Sequence, residues 1–216
     1  MKARVGSSCS TSTSASSLST ADLTFDESFT RVVGDAIDAV ARAGDTHFAS
    51  FAHSSRDLFK SSTSRTPKIA MRDYLHRLLK YIDGKEQSNS WSELSPGARA
   101  LIAALLYIDR ISRRIPVDSQ RIHRMIATGI LVALKFNEDA MVDMHFFANL
   151  SGIRFSQLRE LEAFFLEVLD WDVTVSSSEF KSRIAMFEKF TTGRNSSILL
   201  TGKESRSRDL PSPPPA

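Results

Sequence analysis

The runs IATGILVALKF (126–136) and LRELEAFFLEVLDW (158–171) decide the fold, because both carry apolar residues at helical spacing, the first almost without interruption. Each carries one charge that stands out: Lys135 closes the first run and Glu162 interrupts the second. Burying an unpaired charge costs on the order of several kcal/mol. Two opposite charges on core-rich neighbouring helices are therefore an internal pair or a prepared contact for another protein. These residues alone leave both readings open.

Outward from this centre every strong signal is helical. Phe25, Phe29, Val32, Val33, Ala36, Ile37 and Val40 recur at i, i+3 and i+4, which predicts an amphipathic helix over 24–43. A mixed linker runs from 44 to Thr66-Pro67. Tyr74, Leu75, Leu78, Leu79 and Ile82 predict a helix over 69–82, stopped by Asp83-Gly84. Ser95 is an N-cap with Pro96 at the first helical position, where a missing N–H is harmless. The following run from Ala100 to Ile111 has little polar relief and reads as buried on most sides. After Pro116, Asp118 or Ser119 caps a helix over 119–136, the expected axis of the domain. A short helix over 142–150 is stopped by Gly152, Ser156 caps the helix to Leu169, and Ser176 with Glu179 makes a capping box for 177–190. Only Trp171–Val175 alternates like a strand, and it is too short. The fold class is all-α.

Composition narrows the function. A chain of 216 residues, 42% hydrophobic, accommodates one domain with tails. The sole cysteine, Cys9, excludes a disulfide framework and fits a reducing compartment. Residues 1–21 are mostly Ser, Thr and Ala without periodicity, and the chain from about Gly193 ends Leu-Pro-Ser-Pro-Pro-Pro-Ala, so both ends read as disordered. No apolar stretch approaches a membrane span of roughly 20 residues, and no signal peptide is evident, so an intracellular place in cytoplasm or nucleus is expected. The net charge of +3 is spread along the chain, whereas nucleic-acid binders concentrate it. The densest cluster, Arg110, Arg113 and Arg114, reads as a solvated helix end.

Little points to catalysis. His47, His53, His76, His123 and His145 fall on different segments, and no phosphate loop or nucleophile motif is present. His145 with Glu138, Asp139 and Asp143 has metal-ligand types but reads as an acidic loop in water. No catalytic residue, metal, cofactor or small-molecule substrate is predicted. Asp109, in the middle of an apolar helix, needs a cation; Arg77 is the natural structural partner and Arg72 the second.

Several of these residues, in this order, resemble a cyclin box. Tyr107-Ile108-Asp109-Arg110 resembles the signature of its second helix, and His123-Arg124, Thr128 and Ala133-Leu134-Lys135-Phe136 resemble the third. Phe147-Ala148, Ser151-Gly152-Ile153 and Leu158 to Glu162 resemble the fourth and fifth. Together with Lys68-Ile69-Ala70 through Tyr74-Leu75-His76-Arg77-Leu78, the pattern is similar to the phosphate-pathway group, the PHO-type and P/U-type cyclins. The resemblance implies a single five-helix box over 67–172, preceded by a tail (1–23) and an N-terminal helix with linker (24–66). It also implies a C-terminal helix (173–192) and a final tail (193–216).

It further implies a regulatory subunit, not an enzyme, that binds and allosterically activates a cyclin-dependent protein kinase in cell-cycle or nutrient signalling. By motif match Lys135 and Glu162 face the kinase, with Phe136, Leu158 and Phe165 as further contacts; no nucleic acid or membrane partner is implied. The long loop Asp83–Leu94 and the altered stretch Met141 to Phe147 depart from the family. Only Met71-Arg72 matches the substrate-docking motif of mitotic cyclins, so that docking mode is not expected. The alternative from another class is a cyclin-fold adaptor in transcription that activates no kinase, which basic residues clustered on one face would favour.

Overall fold

The computed structural model describes residues 27–47, 57–60, 67–85, 94–137 and 142–191. The tails expected at 1–23 and 193–216 lie outside the described residues, as do Glu138, Asp139 and Met141. Within the described residues the chain forms seven helices and no strand. They are α1 (Glu27–His47), α2 (Met71–Lys85), α3 (Pro96–Ile111), α4 (Ile122–Asn137), α5 (Met144–Ser151), α6 (Phe155–Val168) and α7 (Ser177–Thr191).

The expected axis is α4, buried along nearly its whole length from Ile122 to Leu134. It lies against α3, which buries Ala100 to Leu105, Tyr107, Ile108 and Ile111. Small residues let the two backbones close up: a Cβ built on Gly129 would stand 3.1 Å from the Ala104 Cβ and 3.4 Å from the Phe165 ring. Helix α6 covers another side of α4 through Leu158, Leu161 and Phe165, while α1 and α2 form an outer layer. The α1–α2 approach is close as well, since a Cβ on Gly34 would come within 2.4 Å of the Arg72 Cα. Phe187 of α7 meets Phe29 of α1 edge to face at 5.6 Å, closing the outer layer.

Helix ends follow local chemistry where the cap is local. Ser95 Oγ accepts from Ala98 N–H at 3.3 Å, and Pro96 opens α3. Asp118, and not Ser119, caps the turn that leads into α4 by accepting from the Gln120 and Arg121 amides at 3.0 Å each. Gly152 takes the left-handed conformation (φ 69°) that ends α5. Ser176 and Glu179 make the reciprocal capping box, at 3.2 and 2.9 Å. The Ser176 hydrogen bonds hold the Glu179 carboxyl below its ordinary range.

Other ends are capped from a distance, and there the sequence expectation needs correction. Asp83-Gly84 does not stop α2, which runs on to Lys85. The Asp83 carboxylate instead accepts from Gly97 N–H (2.8 Å) and Ser95 Oγ (3.0 Å), fixing the start of α3. Asp38 of α1 accepts from Met71 N–H at the start of α2, and Asp45 accepts from Ser119 N–H and Oγ before α4. Ser156 is no cap: α6 starts at Phe155 after Arg154, with no side-chain cap bond. Asp143, read as part of an acidic loop, caps α5 through the His145 and Phe146 amides.

One buried titratable group gives this fold a pH dependence. The His123 ring shares a hydrogen bond with the Ile69 carbonyl at 3.1 Å through Nε2 and meets Tyr74 edge to face at 5.1 Å. Its Nδ1 is buried and finds no partner among the described residues. Burial lowers the His123 pKa from its ordinary 6.5, more than the Ile69 carbonyl and the Asp38 charge raise it. The folded protein therefore refuses a proton that the unfolded chain takes up below about 6.5. This contribution to stability is complete above that pH and is lost as pH falls toward the depressed folded value. Melting temperature should drop between pH 7.5 and 5.5, and His123→Gln should flatten that part of the profile; an equal slope in the variant refutes the assignment.

Candidate functional site

Lys135 lies in the last turn of α4, where a cation complements the helix dipole. Glu162 lies on the outer side of α6, between the inward Leu161 and Phe165. The two meet: Lys135 Nζ stands 2.7 Å from Oε1 and 2.9 Å from Oε2 of Glu162. The bridge is not a core bridge, since the Lys135 side chain is 38% exposed and that of Glu162 19%. A pair this open to water contributes roughly 0.2–1 kcal/mol, too little for the fold to depend on it. It is a surface feature with both charges within reach of a second molecule.

Two exposed aromatics lie on the segments that follow the pair in the chain. Phe136, next to Lys135, is 54% exposed, and Trp171, just beyond α6, is 70% exposed. The end of α4 and the backbone segment after α6 meet at one junction. The Tyr107 hydroxyl donates to the Val173 carbonyl at 2.8 Å, and the Asn137 amide reaches the same hydroxyl at 3.4 Å. Burial raises the Tyr107 pKa, so the hydroxyl keeps its proton and can serve both neighbours. Lone exposed apolar residues are ordinary, but a large exposed aromatic next to a charge pair suits a protein contact.

Two sequence expectations for this face are corrected. Leu158 and Phe165 are fully buried and cannot touch a partner directly. They pin the inner side of α6 to the core, and so position Glu162. The expected pair of Asp109 with Arg77 is replaced by one with Arg183 of α7, whose guanidinium bonds the Asp109 carboxylate. The Arg77 guanidinium lies 5.4 Å over the Tyr74 ring, and Arg72 is near Asp35 and Asp73 at 3.8 Å.

The basic cluster after α3 is also not a free patch. Arg110 donates to the carbonyls of Asp172 (2.8 Å) and Thr174 (2.9 Å) and pairs with Glu179. Arg114 donates to the Val168 carbonyl at 2.7 Å and pairs with Asp170. Both arginines strap the α6–α7 connection to α3 and the turn that follows it. No group of three or more His, Cys, Asp or Glu placed to hold a metal occurs among the described residues, and none of their helices is long and apolar enough to cross a membrane.

Sequence reasoning missed an ionic cluster at the start of α4, the end of that helix opposite Lys135. Arg121 Nε lies 2.6 Å from Asp57 Oδ2, and its Nη1 bonds Asp118. Asp57 belongs to the short piece 57–60 of the α1–α2 linker, whose Phe59 is fully buried against Phe164 (5.3 Å) and Phe165 (5.9 Å) of α6. Arg124 Nη1 donates to the Leu58 carbonyl at 3.2 Å. The linker therefore clips α4 to α6. The Leu58-Phe59 pair set in polar text is the signal that could have found it.

An all-helical domain wound on a buried central helix, with the fifth helix of the box laid beside it, is the cyclin fold. A family model for cyclins matches residues 2–173, and the chain belongs to the cyclin family. Cyclin-P4-1 of Oryza sativa subsp. japonica is 30% identical over 129 residues, covering 58% of this chain and 55% of that protein. Cyclin-U4-2 of Arabidopsis thaliana is 28% identical over 126 residues (57% and 53%), and PHO85 cyclin-7 of Saccharomyces cerevisiae is 28% identical over 138 residues (57% and 44%). These relatives are of the P, U and PHO types that the motifs resemble, and the chain spans about half their length.

Proposed function

We propose that this chain is the regulatory subunit of a cyclin-dependent protein kinase, with a cyclin box at 67–172 as the binding domain. The observation that carries the reading is the partly exposed Lys135–Glu162 bridge between α4 and α6, with the exposed Phe136 next to Lys135 and the exposed Trp171 following α6 in the chain. Its place matches the motif positions that face the kinase in the family, and a PHO85 cyclin is among the relatives.

Binding presents charges at the end of α4 and on α6 to the kinase's mobile regulatory helix and to the chain before its activation segment. Both must be in place before the kinase's own Lys–Glu ion pair and metal site assemble. The cyclin binds the assembled conformer better and so shifts the kinase population toward it; a shift from 1:99 to 99:1 needs about 5.5 kcal/mol of differential affinity. The phosphoryl transfer takes place on the kinase, and this chain holds the geometry. Mixing the purified chain with a cyclin-dependent kinase from the same source should give a co-eluting complex and raise phosphorylation of a proline-directed peptide substrate. Co-elution with no gain in rate, or no complex with any such kinase, defeats the reading.

A further inference from the structure

Helix α6 closes in a way that its sequence does not favour. Trp171 N–H donates to the Leu166 carbonyl at 2.9 Å and Asp170 N–H to the Glu167 carbonyl at 3.1 Å, the two bonds of a Schellman closure. That closure needs a left-handed residue, and glycine is the usual one. Here Asp170 takes it at φ 54°, and Trp171 follows at φ 59°. A left-handed conformation is uncommon for any residue with a side chain and a clear outlier for a bulky one. Two in succession persist only where the surroundings hold them.

The surroundings that hold them are the turn after α3 and the last turn of α3 itself. Arg114 reaches across with both arms of its guanidinium, one to the Val168 carbonyl and one to the Asp170 carboxylate. The grip spans the residues on either side of the helix cap at Leu169. Beyond it, Tyr107 and Arg110 hold the carbonyls of Asp172, Val173 and Thr174. Every backbone neighbour of Trp171 is thus tied down while its own ring stands out in water. Nothing in the isolated fold needs the indole there, since it buries little against the core.

We propose that Arg114 and Asp170 are a positioning pair that keeps the strained turn closed and so pre-orients Trp171 as an aromatic contact for the kinase. The proposal rests on the kinase-binding reading above and adds to it a device outside the charge pair. A side chain already held in its bound orientation loses less freedom on association. Arg114 touches no partner itself and acts through the turn.

The test uses the full chain and a kinase that the wild type binds. Arg114→Ala and Asp170→Asn should each raise the Kd about tenfold, as loss of one ordered contact residue does, with melting temperature little changed because both side chains are exposed. Arg114→Lys, which keeps the charge but cannot fork to two acceptors, should fall between. In a Trp91→Phe background, where Trp171 is the sole tryptophan, the fluorescence anisotropy of free Arg114→Ala should drop, a change that simple loss of stability does not produce. Trp171→Ala weakening the complex while Arg114→Ala and Asp170→Asn bind like wild type would overturn the proposal. So would a Trp171→Ala protein that binds normally while Lys135→Glu does not, and in that case the kinase reading stands. If Lys135→Glu also binds normally, the kinase-facing assignment fails along with it.

Discussion

Arg121→Ala is expected to lower the unfolding free energy by roughly 3–5 kcal/mol, the usual cost of removing one partner from a buried ionic cluster. The Arg121 side chain is 3% exposed and faces Asp57 at 9% and Asp118 at 11%. Without the guanidinium two carboxylates confront each other out of water. Asp118 keeps the Gln120 and Arg121 amides and Asp57 keeps the Phe59 amide, but no cation replaces the lost charge. A domain of this kind has about 5–15 kcal/mol in total, so the variant should melt well below wild type, by about 2–4 °C for each kcal/mol. Urea titration with an unchanged m-value measures the loss. Removing the acid as well, in Arg121→Met with Asp57→Leu, should recover part of it, because an apolar replacement leaves no charge stranded. An Arg121→Ala protein with the wild-type midpoint would mean the cluster is solvated, contrary to the geometry.

Lys135→Glu is expected to abolish kinase binding while leaving the free cyclin folded. The internal bridge contributes roughly 1 kcal/mol at most, so helicity and melting should change only slightly. In the complex the same charge is desolvated, where truncating one partner costs roughly 2–5 kcal/mol. That is about thirty-fold to several-thousand-fold in Kd, and reversing the sign adds repulsion. The charge-swapped double variant, Lys135→Glu with Glu162→Lys, separates the two roles. It restores an internal bridge but presents each charge at the wrong place to the partner. Stability should return to the wild-type value and binding should not. Recovery of binding in the double variant would show that the pair matters only as a bridge within the cyclin.

The helices were legible because their signals are local. Apolar spacing over three or four residues located all seven, and capping at Ser95, Gly152 and Ser176 depends on neighbours a few positions away. The resemblance at Tyr107–Arg110 and Ala133–Phe136 likewise needed only sequence order. Besides the local expectations at Ser156 and Asp83-Gly84, what failed was the choice among distant partners. Asp109 announced that it needed a cation, but periodicity cannot rank Arg77 against Arg183, which lies 74 residues further along the chain. Leu158 and Phe165 look like contact residues in the motif, yet the rotation of α6 turns them inward and leaves Glu162 outside.

Lys135 and Glu162 show the division most clearly. The sequence by itself determined that this is a helical chain with two misplaced charges of opposite sign, and that its motifs are those of a cyclin. It could not decide whether those charges face each other or the solvent, because that depends on how α4 and α6 cross. The tertiary structure decided it: the side chains bridge at 2.7 Å and remain partly open to water, with the exposed Phe136 next to Lys135. Helix formation is set by bonds within a turn or two, whereas exposure is set by packing between segments far apart in the chain. Only folding brings those segments together.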